Sequence, residues 1–446
     1  MIIGRENELK MLHEAYSDEY SQFVVVYGRR RVGKTFLVRE AFNYKFTFQH
    51  SGIANAPRSS QLEEWGKSLQ KHGLKGKTTP KDWFEAFSFL DDLIRKSRAK
   101  KKVVFIDELP WMDTQASNFV PALEHFWNAY ASARKDVLLI VCGSATSWIV
   151  DKIIHNHGGL HNRLNKKINL KQFTLHECEL YAKSRKLGMQ HRQLLECYMV
   201  MGGIPFYWSL LRKDLSLPQN IDGIFFSEDG ELKGEFDALS RSLVEKPESY
   251  LSVINALGKK RIGMTRDEIS TEANLTQGGM LTTILKDLEH CGFIRKYNQI
   301  GKLSKGAMYQ LVDFYTLFYF KFILENKRHD PNFWSKSAGT SLYNNWCGLA
   351  FERVCFAHIP QIKHALSIGG VVSNEYSWFV RKTNDRPGAQ IDLLLDRGDQ
   401  TINICEIKYA SSSEFVLNEE EETKILSRRE RFIEETGTTK AVHITL

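Results

Sequence analysis

The segment Phe23-Val24-Val25-Val26-Tyr27-Gly28-Arg29-Arg30-Arg31-Val32-Gly33-Lys34-Thr35 constrains this chain more than any other. Its first five residues are apolar without alternation, the pattern of a strand buried on both faces in a parallel sheet. Gly28–Thr35 then matches GxxxxGK[ST] in full and opens a run with helical spacing through Phe42. A glycine loop in that position curls backbone N–H groups around phosphate oxygens, and the helix N-terminus adds partial positive charge. Gly28, Arg29, Arg30, Arg31, Val32, Gly33, Lys34 and Thr35 are therefore expected to cradle a nucleotide. Lys34 would reach the β/γ-phosphates and the Thr35 hydroxyl would ligate Mg²⁺. A chance match in a glycine turn is the alternative.

Two further apolar runs support a second half of that site. Val103-Val104-Phe105-Ile106 ends in Asp107-Glu108. Asp107 would hold Mg²⁺ through water, and Glu108 would polarise the attacking water. Two acids capping a strand is the plainer reading. Val137–Val141 ends in Cys142-Gly143-Ser144, where Ser144 could sense the γ-phosphate or serve as an ordinary turn residue. Arg163 is a candidate for stabilising transition-state charge, within one subunit or across to a neighbour; an exposed structural Arg fits equally. Alternating strands and helices over residues 1–169 predict an α/β sheet covered on both faces.

A length of 446 residues allows two to four domains. With 42% hydrophobic and 26% charged residues, a largely disordered or fibrous chain is excluded. No run approaches the ~18 apolar residues of a membrane span, and the N-terminus mixes charges too early for a secretory signal. Seven scattered Cys without CxxC fit reduced thiols in a cytoplasmic protein, and the His residues show no zinc-ligand spacing. The excess of 61 Lys and Arg over 53 Asp and Glu, +8, leans towards polyanionic partners.

Past the first domain, residues 170–245 read as a helical lid, broken at Gly202-Gly203-Ile204-Pro205. Residues 246–330 read as three helices and a hairpin, the order of a winged helix, with a capping-box pattern at Thr265 and Glu268. Thr276, Gln277, Thr282, Thr283 and Lys286 are candidate groove contacts on double-stranded DNA, with Lys302 and Lys305 meeting phosphate. A lid or protein-contact role is the alternative. The aromatic run Phe314–Phe320 reads as core.

Residues 331–446 order as helix, three strands, helix and strand. Asp392, in Ile391-Asp392-Leu393-Leu394-Leu395, and Glu406 and Lys408, in Ile404-Cys405-Glu406-Ile407-Lys408, flank a turn that makes their strands an antiparallel hairpin. Alternation puts Glu406 and Lys408 on one side of the sheet, and the hairpin can bring Asp392 to Glu406. Two carboxylates there, with Glu352 as a third, could bind one or two divalent ions while Lys408 orients water or offsets phosphodiester charge. Solvated strand faces are the bland reading.

Two resemblances follow from these motifs. Gly4-Arg5-Glu6-Asn7-Glu8-Leu9, Gly28–Thr35, Ile106-Asp107-Glu108, Cys142-Gly143-Ser144, Arg163 and Gly202-Gly203-Ile204-Pro205 resemble, over roughly residues 1–240, the archaeal-type ATPases. These are signalling-type (STAND-related) P-loop proteins akin to AAA+ ATPases. The resemblance implies ATP as the nucleotide and makes Gly4 and Arg5 candidate contacts near the adenine. Asp392, Glu406 and Lys408, with the order of elements around them, resemble the PD-(D/E)xK nuclease superfamily, Gln390-Ile391 standing where a Pro is usual. That resemblance implies a restriction-endonuclease-like fold for 331–446. The expectation is a P-loop ATPase coupling ATP state to a DNA-directed, nuclease-like domain. A regulatory switch with a silent nuclease-like domain is the alternative, and a chaperone-like ATP-dependent homo-oligomer a third reading.

Overall fold

The computed structural model describes residues 2–446 except 77, 157, 238, 240–246, 302–306, 383–385 and 411–414. Lys302 and Lys305 lie outside the described residues. The chain divides into two compact units, one built from Met1–Phe173 with Ile204–Ser209, the other from Thr174–Gly203, Leu210–Arg241 and Glu245–Leu446.

In the first unit, β1 (Gln22–Tyr27), β2 (Phe48–Ser51), β3 (Lys102–Asp107), β4 (Val137–Gly143) and β5 (Lys166–Asn169) form one sheet in the order β2-β3-β4-β1-β5. Every pairing in it is parallel. The inner strands β1, β3 and β4 are almost wholly buried, as their unbroken apolar runs require. A core of Trp65, Trp83, Phe87, Phe119 and Phe126 packs against Phe23, Val25, Val104 and Leu139 from these strands. Strand order steps from β1 to its neighbour β4, so the C-terminal ends of β1, β3 and β4 open onto a common edge. Ligands of open α/β sheets bind at such an edge.

The second unit opens with helices Leu175–Ser184 and His191–Met201. The region read as one helical lid is thus divided: Ile204–Ser209 belongs to the first unit. Ile204, Tyr207 and Trp208 are buried, and the Arg31 guanidinium lies 4.3 Å from the centre of the Phe206 ring, so packing on the phosphate loop holds this short segment there.

Helices Pro247–Gly258, Arg266–Glu272 and Gly279–His290 accompany a three-stranded sheet of β6 (Met264–Thr265), β7 (Ile294–Tyr297) and β8 (Met308–Leu311), ordered β6-β8-β7. The Thr265–Glu268 capping box is present. Phe314, Tyr315 and Phe318 are buried in an aromatic core with Phe322, Trp334 and Trp346.

The last part of the chain places helix Ser341–Ala357 before β9 (Ser373–Val380), β10 (Ala389–Arg397) and β11 (Thr401–Cys405). Helix Glu419–Thr436 and β12 (Ala441–Thr445) complete it. The sheet order is β12-β11-β10-β9, with β10 antiparallel to both neighbours and β11 parallel to β12. Both faces are covered: Leu394, Ile402 and Ile404 pack with Phe432 of the following helix, while Leu393, Leu395 and Cys405 pack with Ile359 and Ile368. This two-sided burial explains the consecutive leucines of β10. The β9–β10 register slips between Ile391 and Leu394, an irregularity that takes in Asp392 and Leu393.

Candidate functional site

The phosphate loop follows β1 and ends at helix Lys34–Ala41. Two glycines are required by geometry. Gly28 has φ 144°, and a Cβ there would lie 2.3 Å from the Leu170 carbonyl oxygen; Gly33 has φ 92°. Lys34 is buried, its Nζ donating to the carbonyls of Gly28 and Arg29 at 2.9 Å each. The ammonium therefore sits folded across the mouth of the loop it is expected to share with phosphate.

The Thr35 hydroxyl donates to Asp107 Oδ2 at 2.7 Å. Residues 72 apart in sequence are thereby joined into the pair expected to hold Mg²⁺, and this donor set fits that ion. Asp107 Oδ1 accepts from the Glu108 N–H at 2.9 Å and from Cys142 Sγ at 2.9 Å. Cys142 is a site residue the sequence reading passed over. Its signal was position, on the strand beside β3 at the level of Asp107. Burial pushes its thiol well up, so it stays protonated and serves Asp107 as a donor.

Glu108 is held in the left-handed region, φ 48°. Its Oε2 accepts the Ser144 hydroxyl at 2.8 Å and the Ser144 N–H at 3.3 Å. The proposed water-polarising acid and the proposed γ-phosphate sensor are thus in direct contact. A Cβ on Gly143, just before Ser144, would meet Pro110 Cδ at 2.7 Å, so only glycine lets β4 come this close to the Glu108 turn. Arg163 is exposed on the turn before β5.

Gly4 and Arg5 both take positive φ, 63° and 70°. Arg5 is buried, donates to the Lys171 carbonyl at 2.7 Å and lies 4.7 Å from the centre of the Phe173 ring. It pins the start of the chain to the segment after β5. A separate cavity of about 1440 Å³ beside β2 is lined by Arg39, Lys45, His50 and Lys101, and by none of the motif residues.

A glycine loop after a buried strand, a buried lysine and a Thr–Asp pair at the end of β3 define a P-loop nucleotide hydrolase. Residues 2–211 match the model of the ATPase domain found predominantly in Archaea, and the chain carries an archaeal-type ATPase domain. An uncharacterized protein of Methanocaldococcus jannaschii is 24% identical over 416 residues, 92% of this chain and 88% of that one. An uncharacterized ATP-binding protein of the same organism is 36% identical over 45 residues, 10% of this chain and 76% of its own. The Walker-type ATPase of Pyrococcus abyssi shares the fold with a TM-score of 0.51 at 18% identity, covering 71% of this chain and 95% of that one.

In the second unit, Glu352, Asp392, Glu406 and Lys408 line one cavity of about 780 Å³. The β10–β11 register pairs Leu393 with Cys405, so the next positions outward set Asp392 opposite Glu406. Lys408 Nζ lies 3.2 Å from Glu406 Oε1, but β11 ends at Cys405, so the two residues meet just past the strand rather than by alternation along it. Gln390 Nε2 donates to Asp392. The carboxylates do not, however, form the metal-ligand set that the motif suggests. Glu352 is buried and paired with Arg261 and, at 3.6 Å, with Arg353; Glu406 is paired with Arg428. Among the described residues, no three His, Cys, Asp or Glu side chains stand together as a metal site. Cations stand where a divalent ion would.

Near Asp392 lie two guanidiniums, Arg295 half-buried and Arg353 buried. Arg295 stacks 3.5 Å from the centre of the Phe356 ring, and Arg353 donates to the carbonyls of Leu311 at 3.2 Å and Arg261 at 2.8 Å. Burial pushes each down to about 10, with Asp392 pulling in the opposite direction.

Of the groove candidates, Thr276, Gln277, Thr282, Thr283 and Lys286 are exposed at or on helix Gly279–His290. Gln277 is tied to Asp267 at 2.9 Å, and the two threonine hydroxyls of the helix donate to Gly278 and Gly279 carbonyls. Among the described residues no helix is long and apolar enough to cross a membrane.

Proposed function

We propose that this protein couples the ATP state of its P-loop domain to a DNA-directed second unit. In this reading Lys34 leaves its carbonyl partners for the β/γ-phosphates, while Thr35 and Asp107 hold Mg²⁺, which neutralises phosphate charge. Glu108 orients the attacking water, and Ser144 fixes the Glu108 carboxylate and feels the γ-phosphate. Arg163 is a further candidate contact to the transferring phosphoryl group. The reading takes the chain as an ATPase core at 1–169, a helical lid at 170–245 interrupted by Ile204–Ser209, a winged helix at 246–330 and a restriction-endonuclease-like domain at 331–446.

The single observation carrying the DNA-directed half is the cavity that gathers Glu352, Asp392, Glu406 and Lys408. Its test is incubation of linear and supercoiled DNA with Mg²⁺ or Mn²⁺, with and without ATP, for wild type and Asp392→Ala. Cleavage lost in the variant supports an ATPase–nuclease. No cleavage under any condition supports the second reading, a switch whose nuclease-like domain binds without cutting. The ion pairs on Glu352 and Glu406 favour that second reading, because a carboxylate neutralised by arginine is not offering itself to a metal.

A further inference from the structure

We propose that Cys142 is a positioning residue of the magnesium site: its thiol holds the Asp107 carboxylate turned so that Oδ2, and not Oδ1, is presented beside Thr35. The inference deepens the reading of Thr35 and Asp107 as the pair that carries Mg²⁺, and rests on it.

The register of the sheet is the first argument. β3 and β4 run parallel with Ile106 beside Val141, so one step further along both strands Asp107 stands beside Cys142. Side chains at adjacent positions of neighbouring strands share a face of the sheet. On its other side Cys142 is paired with Val26 of β1, which is fully buried. The residue between them therefore meets a carboxylate on one flank and hydrocarbon on the other. Cysteine suits both, because it packs as a small hydrophobe and still carries one donor.

The second argument is how the carboxylate is shared. Oδ2 of Asp107 accepts the Thr35 hydroxyl at 2.7 Å, while Oδ1 accepts the Glu108 N–H and Cys142 Sγ at 2.9 Å each. The Glu108 N–H belongs to the adjoining residue, at a turn where Glu108 has φ 48°, and it moves with Asp107. Cys142 comes from β4, the central strand of the five, and anchors Oδ1 to the sheet rather than to that turn. Asp107 is buried, so bulk water does not simply replace a donor that is removed. With two donors on Oδ1, Oδ2 is the oxygen left with a single protein partner. That partner is the other half of the magnesium pair.

The third argument is that one strand end serves both acids. β3 supplies Asp107 and Glu108 in succession, and β4 answers with a donor to each: Cys142 to Asp107, and the Ser144 hydroxyl to Glu108 at 2.8 Å. Groups that hydrogen-bond a metal-ligating carboxylate set its orientation, and losing one weakens metal binding ~10–100-fold.

The test is equilibrium binding of a fluorescent ATP analogue to the full chain, titrated with Mg²⁺ and repeated in EDTA. In Cys142→Ala the Mg²⁺ concentration at half-saturation should rise about 10-fold, the lower end of that span because a thiol is a weak donor. Affinity in EDTA should match wild type, since the thiol acts on the carboxylate alone. Cys142→Ser keeps a donor at the position and should restore the wild-type Mg²⁺ requirement, which a role in packing would not. Cys142→Val fills the position without a donor and should behave as Cys142→Ala; it replaces that variant if thermal melting shows the smaller side chain does not fold. Asp107→Asn is the reference and should raise the requirement at least as far. An unchanged requirement in the donor-free variants, with Asp107→Asn raised, overturns the positioning role and leaves the magnesium pair standing. An equal rise in Cys142→Ser and Cys142→Ala assigns the effect to packing and overturns it as well. So does a loss of affinity in EDTA as large as that in Mg²⁺, which marks a disturbance of the whole nucleotide site. An unchanged requirement in Asp107→Asn removes the magnesium pair itself.

Discussion

Glu108 and Lys34 stand in the same site but do different work, and their surroundings say which loss each substitution brings. Lys34 Nζ is already satisfied by two carbonyls, so Lys34→Ala removes the cation from the phosphate loop and takes nucleotide affinity with it. The Glu108 carboxylate is held by Ser144, so Glu108→Gln should leave affinity within about threefold and slow turnover by ~10²-fold or more. Stopped-flow binding of a fluorescent ATP analogue, beside steady-state hydrolysis, separates the two. Equal loss of binding in both variants would remove Glu108 from the water-positioning role. A second residue gives a pH dependence. His50 is buried beside the Ser68 hydroxyl at 2.9 Å, and desolvation holds it at about 4 against an ordinary 6.5. The neutral ring is the folded form, and the unfolded chain takes up a proton first as pH falls. Stability is therefore full above about 6.5 and declines towards 4, by on the order of 3 kcal/mol. Urea unfolding of wild type and His50→Gln at pH 7 and pH 5 should show a flatter dependence in the variant; parallel slopes would contradict the assignment.

At the scale of elements, what could be read in advance follows from how each element is buried. β1, β3 and β4 sit inside the sheet and announce themselves as apolar runs. β2, with Gln49 and Ser51, and β5, with Lys166, Lys167 and Asn169, are edge strands of four residues each, and their mixed character hid them. The Thr35–Asp107 contact was legible because a motif fixes both ends. The Cys142–Asp107 contact was not, since it depends on strand order, which no local pattern carries. In the second unit Asp392, Glu406 and Lys408 were read from spacing, but Arg428, which pairs with Glu406, and Arg261, which pairs with Glu352, come from segments with no motif at all. Capping is the cleanest local signal: Thr265 Oγ1 accepts the Glu268 N–H at 3.3 Å, and Glu268 returns to the Thr265 N–H at 2.8 Å. Helix Arg266–Glu272 has only seven residues, so this cap is a large share of what starts it. Thr265→Ala should cost ~1 kcal/mol in chemical denaturation of the full chain, and Thr265→Ser much less.

For the whole molecule, the presence of a phosphate-loop ATPase and the Asp392 cleft in one chain matters only if each site senses the other's occupancy. Coupling is a free energy, so it must be reciprocal: whatever factor ATP imposes on duplex affinity, the duplex imposes on ATP affinity. The Glu108→Gln variant makes this measurable, because it is expected to hold ATP without consuming it and so present one nucleotide state. Duplex affinity is read by anisotropy with that variant saturated in ATP and again in ADP. Nucleotide affinity is then read with and without saturating duplex. A switch predicts that the two ratios agree and lie at about 5-fold to 150-fold, the usual span of 1–3 kcal/mol. Ratios of one in both directions would mean that hydrolysis and DNA binding are independent activities on a shared chain, and the coupling proposal would fall even with both sites intact.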